Sequence, residues 1–287
     1  MSRSLGRLLF GLGIGLLVIW SLGPVYWAVN ASFLQPDDMF REPPVFLATE
    51  PTLRHYANLL GGTSDFLGLA TQSVWPLFRA AIVNSILTSA FATIATVVVA
   101  AFAGYAFARL DFRGRDLAFW LIILTITVPG YTVMIPLYSA FVRIGLIDTY
   151  LCITLIYISY FLPIALWLMR GTFRSVPISV EEAAWLDGAG RTYALFRVVL
   201  PMAAPGLIAA AILTFLNAWG QFLIPLVFAP TLDTKPVTVL IPEFVTKNYV
   251  DYGLMNAAGV LAILPPVLIV SFLSKYLVDG LSSGAGK

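Results

Sequence analysis

The chain has 287 residues, 59% of them apolar and 11% charged, with a mean hydropathy of +0.88 and a formal net charge of +2. Soluble domains carry about 25% charged residues, so this much apolar surface needs lipid to cover it, and a charge so near neutral argues against nucleic acid as a partner. The single cysteine, Cys152, excludes an intrachain disulfide and reads as a small buried hydrophobe.

Six apolar stretches, at about 8–29, 80–108, 117–142, 150–169, 202–229 and 254–278, each approach the ~20 residues that cross ~30 Å of hydrocarbon. The first is longer than the apolar core of a signal peptide, although Val29-Asn30-Ala31 loosely fits a cleavage site, so it is read as a span. With the N-terminus inside, the inner segments hold 11 Lys and Arg and the outer ones 6. The positive-inside rule then places both termini in the cytoplasm. The expected fold is all-α: a polytopic membrane protein of six transmembrane helices.

In chain order, residues 1–79 comprise the first span and a long extracytoplasmic segment, 31–79, broken by Pro36, Pro43, Pro44, Pro51, Gly61, Gly62 and Pro76. The only histidine, His55, lies there, and one imidazole falls short of the three or four ligands zinc usually takes. Residues 80–287 form a core of five spans. Pro129-Gly130, Pro136, Pro163, Pro225 and Pro265-Pro266 interrupt these spans, and in lipid the carbonyls they free must find partners inside the bundle. Kinked helices suit a protein that changes shape, and static bundles contain them too. A second outer loop, 230–253, carries Asp233, Lys235, Glu243, Lys247, Tyr249 and Asp251; it is either a solvated connector or a contact for an external partner.

Between the fourth and fifth spans lies the polar loop 175–201, whose core EAAWLDGAGRTYALFRVVLP runs from Glu182 to Pro201. Ser179 and Glu182 have the spacing of a capping box, Glu181 and Glu182 fall in the first turn of a helix, and Gly188 supplies a left-handed stop. Thr192 is placed to cap a second short helix closed by Pro201. Small Ala183 and Ala184 admit a close backbone, while Glu181, Glu182 and Asp187 offer carboxylates to basic groups. An interfacial lipid-binding helix normally presents Lys and Arg instead, so a protein partner is the better reading.

This loop resembles the EAA signature of the permease subunits of binding-protein-dependent ABC importers, with Val198 where the pattern often has Ile. The wider chain is similar to the carbohydrate-importing branch that includes the maltose importer's second permease. The similar features are Tyr105-Ala106-Phe107-Ala108-Arg109, Phe112-Arg113-Gly114, Asn84-Ser85, Ile147-Asp148-Thr149-Tyr150 and the tail from Gly280 to Lys287. The resemblance implies a multi-pass protein of the inner (cytoplasmic) membrane that pairs with a second permease subunit. It also implies two ATP-binding subunits that dock on a coupling helix at Glu181, Glu182, Ala183, Ala184, Asp187 and Gly188, and an extracytoplasmic solute-binding protein that delivers a sugar to the 230–253 side. One stretch departs from the pattern. Asn217-Ala218-Trp219-Gly220-Gln221-Phe222 lacks the acidic residue that commonly follows Trp-Asn in relatives, which puts a substrate inferred from them in doubt.

No G-x-x-x-x-G-K-[ST] occurs; Gly284-Ala285-Gly286-Lys287 is out of register and lacks the Ser or Thr. No enzyme activity or bound cofactor is therefore expected of this chain, and ATP and Mg belong on partner subunits. The spans carry no Asp, Glu or His of the kind a proton-driven carrier keeps, which weakens the alternative of a self-sufficient secondary carrier or channel. A path for sugar needs hydrogen-bonding side chains and flat aromatic faces. Asn84, Tyr131, Asn217, Trp219, Gln221 and Asn256 are the candidates, with Tyr138, Tyr157 and Tyr160 behind them, although such residues also serve as interface belts and interhelical bonds.

Overall fold

The computed structural model describes residues 3–62, 73–244 and 251–285, and among these every regular element is helical. Among the described residues four helices are long and apolar enough to cross a bilayer: α1 (Arg3–Phe33), α3 (Trp75–Arg109), α6 (Tyr150–Ser175) and α13 (Tyr252–Ala285). The stretches expected to span at 117–142 and 202–229 are each broken. In the first, α4 (Arg115–Leu124) and a 3-10 turn, Thr125–Thr127, meet α5 (Gly130–Arg143) at a bend of 101°. The cause is local: Val128 precedes Pro129 and is held extended at φ −73°, ψ 120°. In the second, the helical segment Arg191–Met202 meets α10 (Ala204–Trp219) at 72°. Beyond α10 the chain breaks again before α11 (Leu223–Phe228) and α12 (Val237–Leu240). Bundles tolerate such breaks where neighbouring helices re-satisfy the freed backbone groups.

The chain divides into two compact units, one of Met1–Arg79 with Leu240–Leu264 and one of Ala80–Val239 with Pro265–Lys287. In the first, the segment after α1 folds back on that helix. Asn30 donates to the carbonyl of Val45 and accepts from the amide of Ala48, and Ser32 pairs with the Tyr56 hydroxyl on α2 (Arg54–Leu59). His55 is buried, bonded through Nε2 to the carbonyl of Leu34 at 3.0 Å, with Nδ1 3.7 Å from Asp251. Gly253 lies against its ring so closely that a Cβ there would fall 2.1 Å from it. His55 thus fastens three chain segments together. Lys247 and Tyr249 of the outer loop lie outside the described residues.

The second unit is built on close contacts between α3, α6 and α10. The buried face of α3 is a stripe of small residues, Ala81, Ser85, Thr88, Ala92, Thr96, Ala100 and Gly104, at three- and four-residue spacing. Lipid supplies no hydrophobic drive for helices to associate, so they approach on small residues and gain dispersion instead. At the Arg109 end of α3, Ala100, Ala101 and Tyr105 pack with Leu168, Met169 and Phe173 of α6 and with Ala209 and Ala210 of α10. Gly206 on α10 meets Thr172 on α6 with no spare room: an added Cβ would lie 2.2 Å from the threonine Oγ1 and 2.3 Å from its Cγ2.

That contact makes Gly206→Ala an overpacking change, expected to cost about 1–3 kcal/mol. Its thermal unfolding midpoint in detergent should fall, while Gly259→Ala, where nothing lies within 4 Å, should leave the midpoint unchanged or raised.

Candidate functional site

The loop between α6 and α10 is shaped by Pro177 and two glycines. Val176 precedes Pro177 and stays extended at φ −72°, ψ 123°, which ends α6 at Ser175. Helix α7 (Ile178–Leu186) begins directly after the proline. The capping box expected from Ser179 and Glu182 does not form. Pro177 stands at the N-cap, so Ser179 is already inside the first turn and no side chain caps the helix. The far end follows the sequence expectation. Gly188 has φ +83°, its amide bonds the carbonyl of Trp185, and the amide of Ala189 bonds that of Ala184. These are the two bonds of a Schellman motif, open to glycine because it meets no Cβ clash in the left-handed region.

Beyond Gly188 the chain re-enters helix at α8 (Arg191–Ala194), with extended Gly190 as its N-cap; Thr192 therefore lies within the helix and does not cap it. Pro201 does not close this helix either. Residues Leu195–Val199 widen into a π-turn, and Pro201 sits in α9 (Leu200–Met202). A proline ring clashes with the carbonyl four residues back, here that of Arg197, which lies in the widened turn. The break falls one turn later, at Ala203.

The main correction concerns Glu181. Its carboxylate does not face outward to a partner: the residue is fully buried. Arg109 Nε donates to its Oε1 at 2.5 Å and the Tyr105 hydroxyl to its Oε2 at 3.0 Å. Arg109 also donates through Nη2 to the carbonyl of Val176. A carboxylate removed from water requires a counter-charge and filled lone pairs, and α3 supplies both from residues one helical turn apart. The connector is thereby bolted to α3. Glu182, Ala183, Leu186, Asp187 and Gly188 remain exposed, with Leu186 89% exposed. Glu182 and Leu186, four residues apart, share one helix face. Arg191 lies over the Trp185 ring at 5.7 Å. The face turned outward therefore combines carboxylates with one protruding leucine.

A second clamp lies nearby and was not evident in the sequence. Arg170 of α6 is buried; its Nη2 bonds Asp116 of α4 at 2.9 Å and its guanidinium carbon lies 3.9 Å over the Phe119 ring. A buried cation held by a carboxylate and an aromatic face pins α4 to α6.

The proposed path residues that are described have differing surroundings. Asn84 is buried with both amide hydrogens committed to backbone carbonyls, those of Leu232 and Lys235, and with Oδ1 accepting from the Tyr150 hydroxyl. It acts as a clasp: a side-chain amide has two hydrogens to give, and both are committed. Trp219 is buried and stacks on Phe215. Tyr157 is buried as well, whereas Tyr138 and Tyr160 are exposed. Asn217 is exposed and donates to Leu213, beside a shallow hollow lined by Phe161, Leu168 and Thr214. Gln221 is half-buried, and its carbonyl accepts from Thr238. Asn256, in the other compact unit, donates to Tyr252. The side chain of Tyr131 lies outside the described residues.

The chain thus joins membrane-scale helices to a short connector held rigidly at its surface. The family described as binding-protein-dependent transport system inner membrane component matches residues 96–283, and the chain belongs to it. It is similar to the trehalose transport system permease protein SugB of Mycobacterium tuberculosis, with 32% identity over 274 residues, 95% of this chain and 94% of that protein. It is also similar to the trehalose/maltose transport system permease protein MalG of Thermococcus litoralis, 29% identical over 284 residues, covering 99% and 98%. In three dimensions it aligns with a chain from a bacterial ABC transporter involved in the import of the polysaccharide alginate. The TM-score is 0.81 over 96% of this chain and 98% of that one, and at 22% identity the likeness concerns the fold alone.

The bolt at Glu181 has a measurable consequence. Arg109→Ala leaves a buried carboxylate without its counter-charge and should destabilise the chain by about 3–5 kcal/mol, seen as a lower thermal midpoint. The apolar pair Arg109→Met with Glu181→Leu should recover most of that loss.

Proposed function

We propose that this chain is one permease subunit of an ATP-driven importer for a sugar or sugar-like solute. It pairs with a second permease subunit, draws energy from two ATP-binding subunits that hold ATP and Mg, and receives solute from an extracytoplasmic binding protein. The chain itself carries no catalytic residue in this reading. It lies in the inner (cytoplasmic) membrane with six spans, each bent pair counting as one, and with both termini and α7 on the cytoplasmic side. The inner excess of Lys and Arg, 11 against 6, supports that orientation.

The observation that carries the reading is α7 itself. One carboxylate, Glu181, is spent on fixing the helix to α3, which leaves Glu182, Leu186 and Asp187 on a preorganised outer face. A partner that grips this face moves the whole elbow, because preorganised surfaces bind without an ordering cost. Closure of the ATPase pair on ATP then draws α7 and opens a cavity to the outside, and hydrolysis resets it. A sugar as cargo agrees with the relatives, whose names specify trehalose, trehalose/maltose and diacetylchitobiose. It agrees also with residues 217–222, which offer Asn217 and Gln221 and no ionised side chain. A screen of saccharides against the binding protein that co-purifies with the chain identifies the solute.

Two substitutions test the docking face. Glu182→Lys reverses its charge, and Leu186→Asp removes its protruding anchor; a truncated interface anchor costs about 2 kcal/mol or more, roughly 30-fold in affinity. Both variants should fold, lose the ATPase subunits on purification and lose ATP-dependent uptake into vesicles. Normal assembly and uptake by Glu182→Lys would refute the assignment, as would transport by the isolated chain without ATP.

A further inference from the structure

Helix α3 is held by polar clasps at two places. At one, Tyr105 and Arg109 hold Glu181 and the carbonyl of Val176. At the other, Asn84 gives both amide hydrogens to the carbonyls of Leu232 and Lys235, at 2.8 and 3.0 Å, and Ser85 Oγ accepts from the amide of Val237 at 2.8 Å. About 20 residues of unbroken helix separate the clasps, roughly 30 Å at ~1.5 Å per residue, which is about the thickness of the hydrocarbon layer.

Helix α6 takes part at both ends. Its Tyr150 hydroxyl donates to Asn84 Oδ1 at 2.6 Å, and Asp148, two residues before its start, accepts from Thr231 and from Thr234. At its other end it leads through Val176 into α7. Between the clasps, Gly104 of α3 approaches Met169 of α6 so closely that an added Cβ would lie 2.7 Å from the methionine Cβ. The bonds of both clasps are buried or half-buried, and breaking one strands a polar group away from water.

We propose that Asn84 and Ser85 are positioning residues: they lock the 231–237 segment to α3, so that α3 and α6 relay a displacement of that segment to α7 as one rigid strut. The inference rests on the importer reading, in which the 230–253 loop faces the solute-binding protein and α7 faces the ATPase pair. Packing alone would let the segment slide along α3. Three directional bonds from two adjacent residues fix its register instead, and Asp148 fixes it to the entrance of α6. Docking outside then reaches the ATPases without any span having to bend.

The test uses the whole assembly, purified on this chain and reconstituted in liposomes, with phosphate release measured before and after adding the binding protein that co-purifies. Asn84→Ala with Ser85→Ala opens the clasp. Its ATPase rate without binding protein should match the wild type, and the stimulation by binding protein should fall about tenfold, inside the ~5–150-fold span of coupling between sites. Ser85→Cys with Val237→Cys, in a Cys152→Ser background, closes the clasp covalently. The oxidised lock should remain fully stimulated, since the clasp stays shut throughout the cycle. Wild-type stimulation in the opened variant overturns the proposal, and so does a lock that abolishes stimulation until a thiol reductant is added. A wild-type assembly without ATP hydrolysis, or one that ignores the binding protein, defeats the importer reading itself and the strut with it.

Discussion

A carboxylate placed where water cannot reach must be met by a cation or it will not stay ionised and buried, and Glu181 meets that requirement with Arg109 and Tyr105 of a helix more than seventy residues earlier. The pair sets where α7 sits. Because Arg109 also takes the carbonyl of Val176, the same guanidinium ties down the end of α6 and the helix that follows it. Each charge-assisted bond is stronger than a neutral one, and the arrangement tolerates no intermediate state with the carboxylate half-satisfied. The elbow is accordingly a fixed part of the bundle, although it lies between two apolar segments and reads as a loop.

The rest of the second unit follows from what lipid cannot supply. Without water to drive helices together, close approach does the work, and it is available only where side chains are small. Gly104 against Met169 and Gly206 against Thr172 mark two close contacts of α6 with its neighbours. Several polar residues on these faces are spent on specific bonds: Asn84 and Ser85 on the 231–237 segment, Arg170 on Asp116 and Phe119. Irregular backbone accompanies prolines at the π-turn ahead of Pro201 and at the break before Pro129.

The chain belongs to the inner membrane component family. The matched stretch, 96–283, contains Arg109, the whole of α7 and the segment 231–237, so both bonded ends of the strut involve it, while Asn84 and Ser85 lie just before it. In this chain α7 is fastened to α3 through buried Glu181, and Asn217 and Gln221 are the most accessible of the candidate path residues described in the second unit.

Composition and spacing by themselves determined that the chain is helical and apolar enough for lipid, where its long apolar runs lie, that Gly188 stops a short helix between two of them, and that no G-x-x-x-x-G-K-[ST] occurs. These are local or additive properties: hydropathy sums over a window, and a left-handed cap depends on one residue and its neighbours. The tertiary structure alone decided which of two adjacent glutamates faces inward, that Asn84 is a clasp, and that Arg170 is buried against Phe119. Those outcomes depend on partners tens to more than a hundred residues away, and neighbouring positions such as Glu181 and Glu182 carry the same local signal. Which of them turns inward is set by where Arg109 lies once α3 and α6 have packed.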